Sequence, residues 1–136
     1  MTRFVLDCSV TMAWCFEDEA DRYSDGVLTA LSDASAVVPS LWPLEVANVL
    51  TVGERRGRLT AADSQRFLEH LAGLPITVDP AVPEAGELLT VARAHGLSAY
   101  DAAYLHLAIR THLPVATRDR TLRAAARVAR VGGFAP

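Results

Sequence analysis

The chain contains no lysine, and all 13 of its basic residues are arginines. That absence argues against enzymes that grip a phosphoryl group with a lysine, such as phospho-acceptor receiver domains and aspartate-nucleophile phosphatases. A GKS or GKT sequence is missing as well, which removes the P-loop nucleotide enzymes. Cysteine is scarce: Cys8 and Cys15 form neither a CxxC pair nor a zinc spacing, so both read as buried thiols. No apolar stretch approaches the ~20 residues that cross a bilayer, and the opening residues show no signal-peptide pattern. A cytoplasmic protein without membrane contact is the expectation. No proline, glycine or serine run is long enough to serve as a linker and no repeat stands out, so residues 1–136 read as one domain.

What is present suits a folded globular chain, with 51% hydrophobic and 21% charged residues. Short apolar runs rich in β-branched residues alternate with amphipathic stretches, the pattern of βα units around a parallel sheet. The strands expected are Arg3–Leu6, Ala36–Val38, Ile76–Val78, Pro114–Thr117 and Val128–Val131. Helices are expected at Glu19–Leu31, Pro43–Arg56, Ala61–Leu71, Pro83–His95, Ser98–Arg110 and Asp119–Arg127. Pro43 suits a first helical turn, and Ser98 to Asp101 resembles a capping box with aspartate in place of glutamate.

In such a fold the carboxyl ends of the strands and the amino ends of the helices share one edge, where ligands bind. Four acids fall on that edge. Asp7 follows the first strand, Glu45 lies in the first turn after the second, Asp101 opens the helix before the fourth, and Asp119 comes just past the fourth. Right-handed crossovers place the first strand centrally with the fourth beside it, which gathers residues 7, 45, 101 and 119. Two carboxylates about 4 Å apart repel by roughly 4 kcal/mol at an effective dielectric of ~20, so a cation belongs among them. Oxygen ligands without cysteine or histidine suit Mg²⁺ or Mn²⁺, and phosphodiester hydrolysis is the chemistry such a centre supports. The net charge of −3 is compatible with a nucleic-acid substrate, because divalent metal reverses the local sign. Read singly, each acid is an ordinary cap or turn residue; the shared edge is what favours a site.

The motifs Phe4-Val-Leu-Asp7-Cys-Ser9, Leu44-Glu45-Val-Ala-Asn48-Val-Leu50, Leu97-Ser-Ala-Tyr-Asp101-Ala-Ala-Tyr104 and Leu113-Pro-Val-Ala-Thr117-Arg-Asp119-Arg-Thr-Leu122 resemble those of PIN-domain proteins. At this length the chain is similar to a VapC-type toxin of a toxin–antitoxin pair. The resemblance implies a three-layer α/β fold with a five-stranded parallel sheet of order 3-2-1-4-5 flanked by helices. It also implies a Mg²⁺- or Mn²⁺-dependent endoribonuclease that cleaves single-stranded or looped RNA, forms a homodimer and is inhibited by a cognate antitoxin. Asp7, Glu45, Asp101 and Asp119 match the metal-binding acids, with Asp119 held through water in many similar proteins. Ser9, Asn48 and Thr117 match supporting polar positions.

Beyond the motifs, Arg118, Arg120 and Arg123 surround Asp119 and are candidates for phosphate contact, as is the basic turn Arg55, Arg56 and Arg58. A run of charge is equally a solvated face. Trp14 and Phe16 lie just past Asp7, where they suit base stacking, although a tryptophan such as Trp14 is more often a partner for a neighbouring helix or for an antitoxin peptide. His70, His95, His106 and His112 have no spacing that builds a ligand pair and receive no role.

Overall fold

The computed structural model describes residues 2–136. Its sheet is built from β1 (Arg3–Leu6), β2 (Ser35–Val38), β3 (Ile76–Val78) and β4 (Val115–Ala116), all parallel, in the order β3-β2-β1-β4. In register, Val5 stands opposite Val37 on one side and Val115 on the other, and Leu6 opposite Ala116. Both faces of the central strands are covered: Phe4, Val5, Leu6, Val37, Val38, Val115 and Ala116 are all buried. This is why these strands read as continuous apolar runs rather than alternating ones. Each such valine or leucine contributes about 1.5–3 kcal/mol by leaving water.

The flanking helices are α1 (Cys8–Ala13), α2 (Arg22–Ala30), α3 (Trp42–Arg55), α4 (Ala61–Ala72), α5 (Ala85–His95), α6 (Ala99–Thr111) and α7 (Arg120–Val128). Pro43 sits in the first turn of α3, and Ser98 caps α6 by accepting the Asp101 N–H at 3.1 Å. A complete capping box forms instead on α4, between Thr60 and Asp63.

Two expectations are corrected. The helix expected over Glu19–Leu31 is divided. Glu17–Glu19 form a 3-10 turn, Ala20 is extended, and α2 starts only at Arg22, where the Asp21 carboxylate accepts the Ser24 N–H at 2.6 Å. Nor do residues 128–131 form a fifth strand. Helix α7 runs through Val128, and the chain then reverses with Arg130 at φ 64° and Gly132 at φ 79°. Pairing resumes only at Gly133, as a single parallel bridge to Val115, so the sheet has four strands with a rudimentary contact beyond β4. Phe134 secures that segment by stacking on Phe4 of β1, ring centroids 4.0 Å apart.

Among the described residues no helix is long and apolar enough to cross a membrane.

Candidate active site

At the carboxyl end of β1, hydrogen bonding to β4 continues one residue past the strand, from Asp7 N–H to the Ala116 carbonyl at 2.9 Å. Asp7 is then the N-cap of α1. An aspartate there normally spends a carboxylate oxygen on the helix's free N–H groups. Asp7 makes no such cap. Its Oδ2 accepts instead from Ser9 Oγ at 2.6 Å and from Thr117 Oγ1 at 2.7 Å, while the side chain is only 5% exposed. Burial raises its pKa above the usual carboxylate range, and the nearby Asp119 charge adds to that. The two hydroxyls work the other way, favouring the ionised form.

The same two hydroxyls bind the β4–α7 turn. Thr117 Oγ1 accepts the Asp119 N–H at 3.0 Å, and Ser9 Oγ accepts the Arg118 N–H at 3.1 Å. Asp119 caps α7, its Oδ1 accepting from Thr121 N at 2.8 Å and Leu122 N at 3.1 Å.

Glu45 enters from the first turn of α3 and is half-buried. Its Oε1 accepts from the hydroxyl of Tyr104, a fully buried residue of α6, at 2.6 Å. Burial raises the Glu45 pKa, Tyr104 opposes the rise, and the charges of Asp7 and Asp101 reinforce it. Asp101, in the first turn of α6, is likewise raised, first by burial and then by Asp7 and Asp119. Asp7, Glu45 and Asp101 thus lie near enough for their charges to act on one another, and the Asp119 charge reaches Asp7 and Asp101.

Among the described residues no group of three or more histidine, cysteine, aspartate or glutamate side chains is drawn together as a set that could hold a metal ion. The donor set nevertheless fits a hard cation. All four groups are carboxylates, and in three of them one oxygen is anchored by the protein while the other is not taken by that anchor: Asp7 through Oδ2, Glu45 through Oε1 and Asp119 through Oδ1. A hydrated Mg²⁺ or Mn²⁺ accepts one or two direct carboxylates and reaches others through water. Cys8, beside Asp7, is buried, and burial pushes its thiol up to about 12.

Sequence reading passed over the role of Tyr104. The signal lay in its place three residues past Asp101, which puts both on neighbouring turns of α6. Asn48 lies exposed one turn beyond Glu45 and lines, with Leu44, Glu45 and Tyr100, a recess of about 400 Å³. The basic residues divide. Arg118 pairs with Asp21 at 2.8 Å and with Glu19 at 3.7 Å, and Arg58 pairs with Asp18 at 2.9 Å. Arg123 donates to the Thr117 carbonyl at 2.8 Å and lies over the Tyr23 ring. Arg120 is exposed at the start of α7. Trp14 packs on a neighbouring helix, its indole N–H donating to the Ser24 carbonyl at 2.8 Å.

Among solved structures, the chain is similar to the crystal structure of PAE2754 from Pyrobaculum aerophilum. The TM-score is 0.71 at 25% identity, over 91% of this chain and 84% of that one. No curated protein matches. A family model described as "PIN domain" matches residues 4–128, which takes in all four acids. PIN domains are generally nucleases that use divalent metals. With a match over nearly its whole length, the chain belongs to the PIN-domain family.

Proposed function

We propose that the protein is a Mg²⁺- or Mn²⁺-dependent endoribonuclease cleaving single-stranded or looped RNA, and the toxin of a type II toxin–antitoxin pair. The observation that carries the metal-dependent part is the division of labour within the carboxylates. One oxygen of Asp7, Glu45 and Asp119 is fixed by the protein, and the other is not taken by that anchor. Structural acids have no need of such convergence, and burying mutually repelling carboxylates without a partner is costly. Asp7, Glu45, Asp101 and Asp119 would hold the ion. Bound there, it would offset their charge, polarise the phosphate and lower the pKa of a water at neutral pH.

The chain's own residues set the geometry. Ser9 and Thr117 fix the Asp7 carboxylate and favour its ionised form, Tyr104 fixes Glu45, and the N–H groups of Thr121 and Leu122 fix Asp119. This reading requires no protein nucleophile. The Cys8 thiol is held protonated by burial, and the Ser9 hydroxyl proton is directed at Asp7. A metal-activated water is the nucleophile this reading assigns, and hydrolysis the reaction. Arg120 offers a guanidinium for an incoming phosphate, while the ion pairs of Arg118 compete with such a contact. The RNA preference and the toxin role are supported by the order of the four motifs over residues 4–122. A homodimer and a small antitoxin partner belong to the same reading.

Purified protein should cut single-stranded or looped RNA when Mg²⁺ or Mn²⁺ is added and stop when EDTA is added. Metal-independent cleavage would contradict the mechanism, and a zinc requirement would show that the ligands are misassigned. For the toxin role, expression alone should arrest growth, and co-expression of a small neighbouring gene should relieve it. Sedimentation at micromolar concentration tests the dimer.

A further inference from the structure

Tyr100 and Leu44 are the immediate predecessors of two site acids, Asp101 and Glu45, each on the first turn of its helix. Neighbours on a helix point about 100° apart, so these side chains stand beside the acids rather than beneath them. Both are large, apolar and unused by the core: Tyr100 is 67% exposed and Leu44 72%. They line one recess of about 400 Å³ together with Glu45 and the exposed Asn48. That volume lies within the range of small-ligand pockets. The recess shares Glu45 with the acid cluster and so continues the candidate active site outward.

We propose that this recess is a base-stacking subsite, in which Tyr100 and Leu44 receive the unpaired nucleobase flanking the phosphate to be cut. The inference rests on the ribonuclease reading of the acids and specifies what that site recognises. Charge complementarity selects the occupant. The recess carries one carboxylate, Glu45, beside an aromatic ring, an aliphatic side chain and an amide, which disfavours a second phosphate and suits a flat neutral ring, and on a nucleic-acid strand that ring is the base. The Tyr100 ring supplies a stacking face, and stacking of this kind tolerates any base. The Asn48 amide supplies one donor group and one acceptor, able to read a base edge. A base within a duplex has neither face nor edge free for such a recess, so the subsite selects single strands and loops.

The test is steady-state cleavage of a single-stranded oligoribonucleotide with Mg²⁺ by wild type, Tyr100→Ala and Tyr100→Phe. Two further substrates carry an abasic residue on one or the other side of the scissile phosphate, as mapped with wild type. Tyr100→Ala should raise KM about tenfold while kcat changes less than about twofold, and Tyr100→Phe should restore wild-type behaviour. Removing the stacked base should raise the wild-type KM by a similar factor, after which Tyr100→Ala should add nothing. An unchanged KM in Tyr100→Ala, or a penalty that persists on both abasic strands, would overturn the subsite and leave the ribonuclease reading standing. If sedimentation showed that Tyr100→Ala splits a dimer while all three strands suffered equally, the recess would be an interface between copies of this chain, and the proposal would fall. A wild-type protein that cuts no RNA with either metal would remove both readings.

Discussion

Two aspartates occupy the same structural position and are used in opposite ways. Asp7 ends β1 and is the N-cap of α1; Asp119 follows β4 and is the N-cap of α7. Both lie at the strands' carboxyl edge, and both are tied to Thr117, Asp7 by its carboxylate and Asp119 by its backbone N–H. Asp119 does what an N-cap aspartate usually does and holds two backbone N–H groups. Asp7 forgoes the cap, buries its carboxylate and is fixed by hydroxyls, at the cost of a raised pKa. A residue that sacrifices an ordinary stabilising contact while paying for burial is held for another purpose. On the proposed function the β1–α1 turn is given over to the site, whereas the β4–α7 turn would serve the site and cap its helix.

Substitution at Asp7 should break the comparison most sharply. Asp7→Asn keeps the shape, removes a metal-binding charge, and should lower RNA cleavage at least about a thousandfold, since charge stabilisation at such centres is worth several kcal/mol. Without metal its melting temperature should match or exceed that of wild type, because repulsion with Asp119 and the burial of a charge are both relieved. A collapse in melting temperature would return Asp7 to a structural role. Thr117→Val, which cuts the link between the two turns, should lower cleavage by about 10–100-fold and destabilise by about 1–3 kcal/mol. Thr117 is fully buried and serves both Asp7 and the Asp119 N–H, so the loss should appear in both assays.

Asp119 separates its two roles by the choice of substitute. Asparagine keeps the cap and loses the charge, whereas alanine loses both. Asp119→Ala should be less stable than Asp119→Asn by about 1 kcal/mol in chemical denaturation, with cleavage impaired in each. Equal stability of the two variants would show that the cap bonds contribute nothing.

The smallest effect is on pH dependence. Asp7, Glu45 and Asp101 all have pKa values raised above their ordinary ones, so the metal-free folded state holds protons that the unfolded chain releases. Stability from this source is complete below the ordinary carboxylate values and is lost as pH rises through the raised ones. In EDTA, melting temperature should therefore decline across that window, and less steeply in Asp7→Asn. An identical slope in both proteins would mean that Asp7 is not perturbed.

Which parts of this were legible in the sequence follows from the physics. Strand β1 was readable to the residue and β2 to within one, because buried parallel strands are continuous apolar runs. Helix α1 was not. Cys8-Ser-Val-Thr-Met-Ala has five of its six residues buried, so no polar face marks its period. The misplaced fifth strand has a related cause: Val128 and Val131 look strand-forming, but α7 continues through the first and the turn at Arg130 and Gly132 consumes the rest. The acids were legible because topology alone assigns them to one edge. Of their partners, Ser9 and Thr117 were reached only through the family resemblance, and Tyr104 was not reached at all. Nothing local in the sequence tells Thr117 to reach a residue 110 positions away, or Tyr104 to reach Glu45 across 59. The arginines around Asp119 illustrate the converse, since proximity in sequence did not keep Arg118 from pairing with the acidic segment before α2.

The central claim, that these carboxylates jointly hold a divalent ion, is tested most directly by the magnesium-specific rise in melting temperature. A ligand that binds only the folded state adds about 1.4 kcal/mol when tenfold above its dissociation constant. Wild type should show this increment beyond a monovalent-salt control of matched ionic strength, which screens repulsion without bridging carboxylates. In Asp7→Asn the magnesium-specific part should shrink or vanish. An equal increment in wild type and Asp7→Asn would place the ion elsewhere and contradict the account.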